Sequence, residues 1–323
     1  MFVDLYNLMT KKNNVAVIIL NWNSYERTAN CLQRLIECQI FNSDIFVVDN
    51  GSTDDSVSVL SMKFPTINII CNVRNLGFGG GCNVAIKKIL SIKSSYESDN
   101  KTSCYQYILL LNTDAGLDQK DIGILVATLD ENPRIGVVGP LIVEKNNPTS
   151  ILSAGGLDPS VCINTYNSND VKFAKKIDCE EPFQVYYVSG TVALLRTSVL
   201  SMMGLFDEDY FFSCEMADLC ERIKEKGFIC AVTPRARAWH DMEEAGCQRA
   251  TLYLYYILRN RFLFIRKFKR KYIFLLFVYW VIIGQYCMLK ALFFGRFTSA
   301  RAIGIALKDG VVGRYGGRNE LFD

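Results

Sequence analysis

Short apolar runs alternate with stretches of helical spacing over the first half of the chain. The apolar runs predict four buried β-strands, at Val15–Leu20, Ile45–Val48, Ile67–Cys71 and Tyr107–Leu111. Apolar residues at helical spacing predict helices between them, at Thr28–Glu37 and Gly79–Leu90. Strands that alternate with helices form a mostly parallel sheet, with ligand sites at the carboxyl ends of the strands. The predicted fold is therefore α/β with flanking helices.

The second half of the chain continues this pattern less regularly. Gln184–Leu195 is a β-rich run, followed by a helix near Ser198–Met203. A helix is predicted at Glu215–Lys226 and a strand at Phe228–Val232. The polar stretch Lys93–Ser103 predicts a loop in the first half.

The composition changes after Gln248, where the chain becomes aromatic, apolar and basic. Leu252–Phe268 is predicted to be helical, and Tyr272–Leu289 is an eighteen-residue run whose only strongly polar side chain is Gln285. Eighteen apolar residues are a short membrane-span candidate. Basic residues flank both ends, without the one-sided bias of a single span, so a helix in the headgroup region or a re-entrant pair fits as well. A buried amphipathic helix or a dimer interface is the further alternative.

Composition and charge exclude several classes of protein. Half of the 323 residues are hydrophobic, which excludes wholesale disorder. Lys and Arg number 36 against 33 Asp and Glu, a balance that does not indicate a nucleic-acid binder. The twelve cysteines include no CxxC pair, so we expect reduced thiols in a cytosolic setting. The first fourteen residues lack the apolar core of a secretory signal.

Polar motifs follow the predicted strands and suggest a nucleotide site. A P-loop is excluded, because no Gly-Lys dipeptide occurs in the chain. A dinucleotide-binding fingerprint would be G-x-G-x-x-G at the start of the first helix, followed by an acidic residue about 20 residues later. The glycine run Gly77–Cys82 instead follows the third strand and has no glycine at the sixth position. The acidic residue, Asp49, precedes the run, so the fingerprint fits poorly. Asp114 follows the fourth strand, where a carboxylate could hold a divalent metal with positions open for phosphate oxygens.

Seven motifs occur together in a recognisable order. They are Val15–Asn23, Val47–Asp54, Arg74–Asn83, Leu109–Asp114, Val188–Thr191, Gly204–Glu208 and Glu215–Cys220. As a set they resemble the family-2 glycosyltransferases of GT-A fold, especially the rhamnosyltransferase-like branch. The resemblance covers about residues 13–245. It implies a GT-A-like catalytic domain over residues 1–245, followed by a helical, membrane-associating region over residues 246–323.

The resemblance implies a nucleotide-binding set at the ends of the first, second and fourth strands and in the glycine run. Its members are Leu20, Asn21, Trp22, Asn23, Asp49, Asn50, Gly77, Asn83 and Thr113. Asp49 would accept a hydrogen bond from the ring N–H of the base, and Asn83 would reach toward the nucleotide. The alternatives are a helix-capping turn at Asp49-Asn50 and a plain glycine-rich helix entry at Gly77. Of the set, Trp22 is the residue most expected to serve packing alone.

A metal pair is implied in the same way. Asp114 is the metal-ligand position of the family's D-x-D-like motif, whose first acid is Asn112 here. His240, the single histidine of the chain, falls where the family often places a second ligand, although a surface or core role is the alternative. The metal would be Mg²⁺ or Mn²⁺, which suit oxygen-rich sites with phosphate ligands.

One departure from the family pattern concerns the general base. The family's helix motif is usually Glu-Asp-x-Asp, and its second position commonly supplies the base; here that position is Met216. A thioether cannot accept a proton at neutral pH. Glu215 and Asp218, which lie three residues apart on one helix face, are the candidates to replace it. The alternative is a catalytically impaired homologue that binds nucleotide-sugars or partner enzymes.

The expected reaction is a single in-line displacement that inverts the anomeric centre. The donor would be a UDP- or dTDP-linked sugar, possibly rhamnose by the branch that the chain resembles. The acceptor would be a lipid-linked saccharide in surface polysaccharide (O-antigen) assembly, at the cytoplasmic face of the bacterial inner membrane. No nucleic-acid partner is expected. A nucleotidyltransferase is the alternative from another class.

Overall fold

A ten-stranded mixed sheet forms the centre of the molecule. The computed structural model describes residues 14–40, 44–98, 105–162, 177–241 and 247–322. The strands are β1 (Val15–Asn21), β2 (Ile45–Asp49), β3 (Asn68–Cys71), β4 (Tyr107–Leu111), β5 (Ala115–Gly116), β6 (Ile135–Glu144), β7 (Asn147–Ser153), β8 (Phe183–Gln184), β9 (Val192–Arg196) and β10 (Ile229–His240).

Helices cover both faces of the sheet and form the C-terminal region. They are α1 (Tyr25–Glu37), α2 (Ser56–Lys63), α3 (Gly77–Ser98), α4 (Gln119–Glu131), α5 (Thr197–Met203), α6 (Glu215–Glu225), α7 (Cys247–Phe268), α8 (Ile273–Phe293) and α9 (Phe297–Val312). Short 3-10 turns lie at Glu208–Tyr210, Arg270–Tyr272 and Asn319–Leu321.

The strand order brings several strand ends to one edge. The order is β3-β2-β1-β4-β9-β6-β10-β5, with β7 beside β6 and β8 beside β10. Strands β1 to β4 are parallel, β9 is antiparallel to both β4 and β6, and β10 is parallel to β6. The carboxyl ends of β1, β2, β4 and β10 therefore lie on the same edge, where ligands bind in open α/β sheets.

Strand residues alternate between two apolar layers. In β1, Val17 and Ile19 pack with α1, α2 and α4 on one face, whereas Ala16 and Ile18 pack with α3, α5 and α6 on the other. This period of two is what a strand buried on both faces requires. The result is a three-layer α/β/α domain.

The C-terminal helices form a separate apolar cluster. Tyr255, Phe262, Trp280 and Ala302 pack together where α7, α8 and α9 meet. Among the described residues, one helix, Arg270–Phe293, is long and apolar enough to cross a membrane by length and composition. Only 11% of its most apolar stretch is buried, so the predicted alternative of a buried core helix is wrong.

Several predicted boundaries change. The loop predicted at Lys93–Ser103 is wrong up to Ser98, because α3 continues to that residue, and residues 99–104 lie outside the described part. The strand predicted at Phe228–Val232 continues to His240, since it pairs with β6 over most of its length despite register shifts around Pro234. The apolar run Tyr272–Leu289 becomes α8, which extends to Phe293.

Candidate active site

A buried hydrogen-bond network joins the ends of β1 and β2. Asn21 Nδ2 donates to Asp49 Oδ1 at 2.8 Å, and Ser52 N donates to Asp49 Oδ2 at 3.0 Å. Thr28 Oγ1 donates to Asn21 Oδ1 at 2.6 Å. Asp49 is only 3% exposed, and both of its oxygens already accept a hydrogen bond. Asp49 and Asn21 therefore hold the two strand ends together, and contact with a base stays a prediction.

The loop after β1 carries the exposed part of the predicted nucleotide set. Asn23, with a left-handed φ of 48°, accepts a hydrogen bond from Thr53 N at 2.8 Å. Trp22 is 46% exposed, so the expectation that it serves packing alone is wrong. Leu20 and Thr113 are partly buried at the ends of β1 and β4. An indole ring held open at a strand edge provides an apolar face on which a planar base could lie.

Asn50 attaches the glycine run to the sheet. Its Nδ2 donates to Gly77 O and to Asn75 Oδ1, both at 3.0 Å, and its Oδ1 accepts from Leu76 N at 3.1 Å. Gly77 has a φ of +76°, and a Cβ there would lie 2.1 Å from Phe211 O. Only glycine satisfies both conditions. The turn is therefore fixed by its own side chains before any ligand binds.

Asn83 has a structural role that the sequence did not predict. Its Nδ2 donates to Phe206 O at 2.9 Å and to Glu208 Oε1 at 3.0 Å, and its Oδ1 accepts from Phe206 N at 2.9 Å. The residue is 2% exposed. Because its amide is used inside the protein, the observed conformation joins α3 to the 206–208 segment. Direct contact with a nucleotide stays a prediction.

The structure brings Asp114 and His240 together. His240 Nε2 lies 3.2 Å from Asp114 Oδ1, and Asp241 N donates to Asp114 O at 2.8 Å. The short strand β5 sets this geometry by pairing Ala115 with His240. The two side chains are 14% and 20% exposed, so both remain accessible at the sheet edge. No group of three His, Cys, Asp or Glu residues that could hold a metal occurs among the described residues.

The segment Ser189–Thr191 links this pair to the start of α6. Asn112 N donates to Thr191 O at 3.0 Å, which places the segment beside the turn that contains Asp114. A Cβ on Gly190 would lie 3.2 Å from Met216 Cγ and 3.3 Å from Phe78 Cζ. The turn that contains Asp114, the glycine run and the start of α6 therefore all lie close to the backbone of Gly190.

Glu215 begins α6 in an apolar environment. It is 8% exposed, and its Oε2 has no hydrogen-bond partner among the described residues. Burial, with a smaller contribution from the nearby charge of Asp218, raises its pKa from 4.5 to about 7. A carboxyl group with this pKa can accept a proton near neutral pH. Of the two predicted candidates for the base, Glu215 has the suitable environment.

Asp218, the other predicted candidate for the base, is held in ion pairs, and its role as the base stays a prediction. Its carboxylate is fully buried, and Arg222 Nε donates to Oδ2 at 2.7 Å while Lys267 Nζ donates to Oδ1. Lys267 also pairs with Asp207 at 2.7 Å. A carboxylate neutralised on both oxygens is less available to an acceptor hydroxyl. Spacing along the helix could not reveal this, because Lys267 comes from α7.

Met216, at the motif position that usually holds an acid, cannot accept a proton. It is 3% exposed and packs in the apolar layer with Val188, Leu219 and Cys220. Its position beside Gly190 shows that the second place of the motif lies at the site, but with an apolar side chain.

Two residues that the sequence motifs did not single out hold the loop before Glu215. Asn260 Nδ2 donates to the carbonyls of Tyr210, Phe212 and Ser213 at 2.7 to 2.8 Å. Arg259 donates to Asp209 O at 3.1 Å and to Tyr210 O at 3.0 Å, and both residues are fully buried. Buried polar residues within the aromatic helix pattern of α7 were the available signal.

The loop that these residues hold has an unusual backbone. Phe211, Ser213 and Cys214 have φ values of 58°, 71° and 70°, in the left-handed region that non-glycine residues seldom adopt. Such conformations persist only when surrounding contacts fix them, and they concentrate at functional sites. These contacts cross the predicted division at residues 245 and 246, and the division itself stays a prediction.

Known proteins with similar sequences are rhamnosyltransferases. The chain is 26% identical over 205 residues to an N-acetylglucosaminyl-diphospho-decaprenol L-rhamnosyltransferase of Mycobacterium tuberculosis, covering 61% of this chain and 66% of that protein. It is 20% identical over 267 residues to the dTDP-rhamnosyl transferase RfbF of Shigella flexneri, covering 79% of this chain and 81% of that one.

Solved structures with the same fold are sugar transferases. A mannosyltransferase from Pyrobaculum calidifontis, in complex with GDP-Man and Mn²⁺, has a TM-score of 0.56 at 12% identity, covering 97% of this chain and 94% of that chain. GalNAc-T7 with UDP, GalNAc and Mn²⁺ has a TM-score of 0.57 at 15% identity, covering 77% of this chain and 48% of that chain. These similarities confirm the predicted GT-A fold.

The family assignment rests on a match over more than half of the chain. The sequence model of glycosyl transferase family 2 matches residues 16–204, which include the networks of Asp49 and Asn50 and the turn of Asp114. With the two rhamnosyltransferase relatives, this match confirms the predicted resemblance. The chain is a rhamnosyltransferase-like member of glycosyl transferase family 2.

Proposed function

We propose that this protein transfers rhamnose from a nucleoside diphosphate to a hydroxyl group of a lipid-linked saccharide, with inversion at the anomeric carbon. The observation that carries the proposal is the pairing of Asp114 with His240 at the sheet edge. The turn of Asp114 lies beside the segment Ser189–Thr191, whose Gly190 contacts Met216, the residue next to Glu215. The names of the relatives support rhamnose as the sugar. We take dTDP-rhamnose as the first donor to test and UDP-linked sugars as the competitors.

The nucleoside would bind at the ends of β1 and β2. The network of Asn21 and Asp49 fixes this edge, and each Asp49 oxygen keeps acceptor capacity beyond its one internal hydrogen bond. The exposed ring of Trp22 offers a stacking surface, a contact typical of base binding by aromatic side chains. Asn23, Asn50, Gly77 and Thr113 would shape the pocket around the ribose and diphosphate.

Asp114 and His240 fit a divalent cation. Two ligands 3.2 Å apart leave most of an octahedral coordination sphere for diphosphate oxygens and water. A carboxylate suits Mg²⁺ and Mn²⁺, while the imidazole favours Mn²⁺ of the two. When bound, the cation would neutralise the charge that develops on the departing diphosphate.

Glu215 would accept the proton of the acceptor hydroxyl. Its buried carboxyl, with a pKa of about 7, is ionised in part at neutral pH, and its unpartnered Oε2 is available to a donor. The sugar–phosphate bond breaks as the acceptor oxygen attacks from the opposite side, which gives inversion. The proton ends on Glu215, and the leaving group is the nucleoside diphosphate.

One observation favours a second candidate function. Met216 is buried at the position of the usual acid, which would suit a homologue that binds nucleotide-sugars without turnover. Glu215 argues against it, since a buried carboxyl with a raised pKa and a free oxygen is retained beside Met216.

The experiment compares donors in the presence of Mn²⁺ and a prenyl-diphosphate-linked N-acetylglucosamine acceptor. We expect dTDP-rhamnose to be consumed and an inverted product to be seen by NMR, whereas Asp114→Ala should lose Mn²⁺-dependent affinity for dTDP by about tenfold or more. Asp118→Ala is the matched control, since Asp118 caps α4 outside the site. Binding of dTDP without turnover of any donor would instead establish the binding homologue, and unchanged affinity in Asp114→Ala would remove Asp114 as a ligand.

The acceptor places the proposed reaction at a membrane. The mycobacterial relative is named for a decaprenol-linked acceptor, and the apolar helix α8 supplies a surface suited to lipid. We therefore place the protein at the cytoplasmic face of the bacterial inner membrane, in surface polysaccharide synthesis such as that of O-antigen.

A further inference from the structure

The exposed side of α8 is apolar over most of its length, interrupted by the exposed polar residues Gln285 and Lys290. We define the outer face of α8 as Phe274, Leu275, Val278, Tyr279, Ile282, Tyr286, Leu289, Leu292 and Phe293. Each of these side chains is between 42% and 86% exposed. An exposed apolar surface of this extent marks an interaction site.

The opposite side of α8 is fixed to the rest of the protein near the middle of the helix. Trp280 is 1% exposed, and its Nε1 donates to Ser160 O at 2.7 Å. The guanidinium of Arg261 lies 4.5 Å from the centre of the Trp280 ring. Gly284 lies so close to α9 that a Cβ would be 2.6 Å from Leu307 Cδ2.

These contacts decide between a helix across the membrane and a helix along it. With 21 residues, α8 is about 31 Å long, so its length alone permits a span. A span would place Trp280 near the bilayer centre, together with the backbone at Ser160 and the charge of Arg261. Loop backbone and a charged guanidinium are strongly unfavourable there. Helix α9 would also have to leave its contacts with α7 and α8.

Charge indicates which kind of surface the outer face meets. Residues 246–323 contain 14 Lys and Arg against three Asp and Glu, whereas residues 1–245 contain 22 against 30. Exposed cations lie at both ends of α8: Arg270 and Lys271 before it, Lys290 in its last turn and Arg296 after it. Arg301 and Lys308 line the groove between α8 and α9. Clustered Lys and Arg beside an apolar face are typical of helices that lie on anionic membranes.

We propose that α8 lies in the plane of an anionic bilayer, with its outer face inserted among the lipids and both of its ends on the same side of the membrane. This inference deepens the membrane location in the proposed function and rests on it. The occupant is the lipid surface itself, held by apolar burial along α8 and by the cations at its ends.

The test uses the full chain with a protease-cleavable tag at the C-terminus, added to preformed vesicles. We expect binding to equimolar phosphatidylcholine and phosphatidylglycerol, weaker binding to phosphatidylcholine alone, and complete tag cleavage by protease added outside. Ile282→Glu and Leu289→Glu should each weaken vesicle binding by about tenfold or more, because each replaces a large apolar side chain that would be buried among the lipids with a charged one. Met62→Glu, at an exposed apolar residue of α2, is the matched control and should change nothing.

Three results would overturn the inference. A tag that is protected until detergent is added would establish a spanning helix. The lipid surface would be rejected if the protein did not bind vesicles, or if neither substitution changed the binding. The outer face would be assigned to a second copy of the chain if sedimentation showed a dimer that Ile282→Glu converts to a monomer. Affinity for dTDP with Mn²⁺, measured in detergent on the same proteins, tests the proposed function separately.

Discussion

The two sides of the candidate site are held in place by different parts of the chain. On the nucleotide side, Asn50 attaches the glycine run to the sheet through Gly77 O and Leu76 N, within fewer than thirty residues of sequence. On the side of Glu215, Asn260 reaches from α7 to three carbonyls of the preceding loop, about fifty residues away. The side-chain contacts that hold the nucleotide side therefore lie within the sheet domain, whereas the base side depends on the C-terminal helices. The two sides meet where Phe78 N donates to Phe211 O at 2.7 Å.

The difference also appears in the charged groups. The carboxylate of Asp49 is stabilised by neighbouring Asn21 and by a backbone N–H. The carboxylate of Asp218 is stabilised by Lys267, which belongs to α7. Separate substitutions on the two sides should therefore separate nucleotide binding from proton transfer.

The largest expected effect is on the base itself. Glu215→Gln should lower kcat by about 10²–10⁴-fold, because a positioned base is lost, while affinity for dTDP stays the same. In the wild type the rate should rise with pH through about 7, as the carboxyl ionises. Steady-state kinetics with a pH series measure both, and Glu221→Gln on the same helix is the control. A fully active Glu215→Gln would show that the base lies elsewhere.

The next effect is on the stability of the fold and not on the rate of transfer. Asp218→Asn should lower the free energy of unfolding by about 3 kcal/mol, because Arg222 and Lys267 lose their buried partner. Breaking a buried ion pair costs about 3–5 kcal/mol. The lower value applies here, because the side chains of Lys267 and Arg222 are 28% and 20% exposed and solvent screens their charges. Urea unfolding measures the change. A loss of kcat at full stability would favour Asp218 as the base.

Acidity should affect stability through Glu215 by a similar or smaller amount. Its pKa is about 7 in the folded protein against 4.5 for the free group, so the folded state keeps a proton that the unfolded state has lost. The contribution of this raised pKa to the free energy of unfolding is fully present below pH 4.5 and is lost as the pH rises to about 7. It amounts to about 3 kcal/mol at most. Urea unfolding from pH 5 to 8, roughly across this window, should give a steeper decline for the wild type than for Glu215→Gln. Equal slopes would mean that the carboxyl is not buried in solution.

The smallest expected effect compares the two buried asparagines. Asn260→Ala should lower kcat by about tenfold with little change in dTDP affinity, because the loop before Glu215 loses three hydrogen bonds. Asn50→Ala should do the reverse and weaken dTDP binding. Calorimetry and kinetics on both variants test the contrast, with Asn260→Gln as a partial rescue because it keeps the amide N–H donors. If both variants lost binding equally, the two sides would not be independent.

The sequence predicted the sheet domain better than the base side for a physical reason. Strand ends such as Asn21, Asp49 and Asp114 come directly after apolar runs, so position along the chain already places them at one edge. The ion pairs of Asp218 and the exposure of Trp22 could not be predicted, because these surroundings come from distant segments or from solvent. The pair of Asp114 and His240 became visible as a contact only through β5, a two-residue strand too short to show any periodicity.

The dependence of the Glu215 loop on Asn260 has a consequence for the order in which the site is completed during synthesis. Chains fold from the N-terminus as they leave the ribosome. The turn that Asn50 holds could close as soon as α3 has emerged, whereas the loop at residues 209–214 must wait for α7. A nascent chain that ends before α7 should therefore bind nucleotide but transfer no sugar. The protein would gain its activity only once the C-terminal helices have been made.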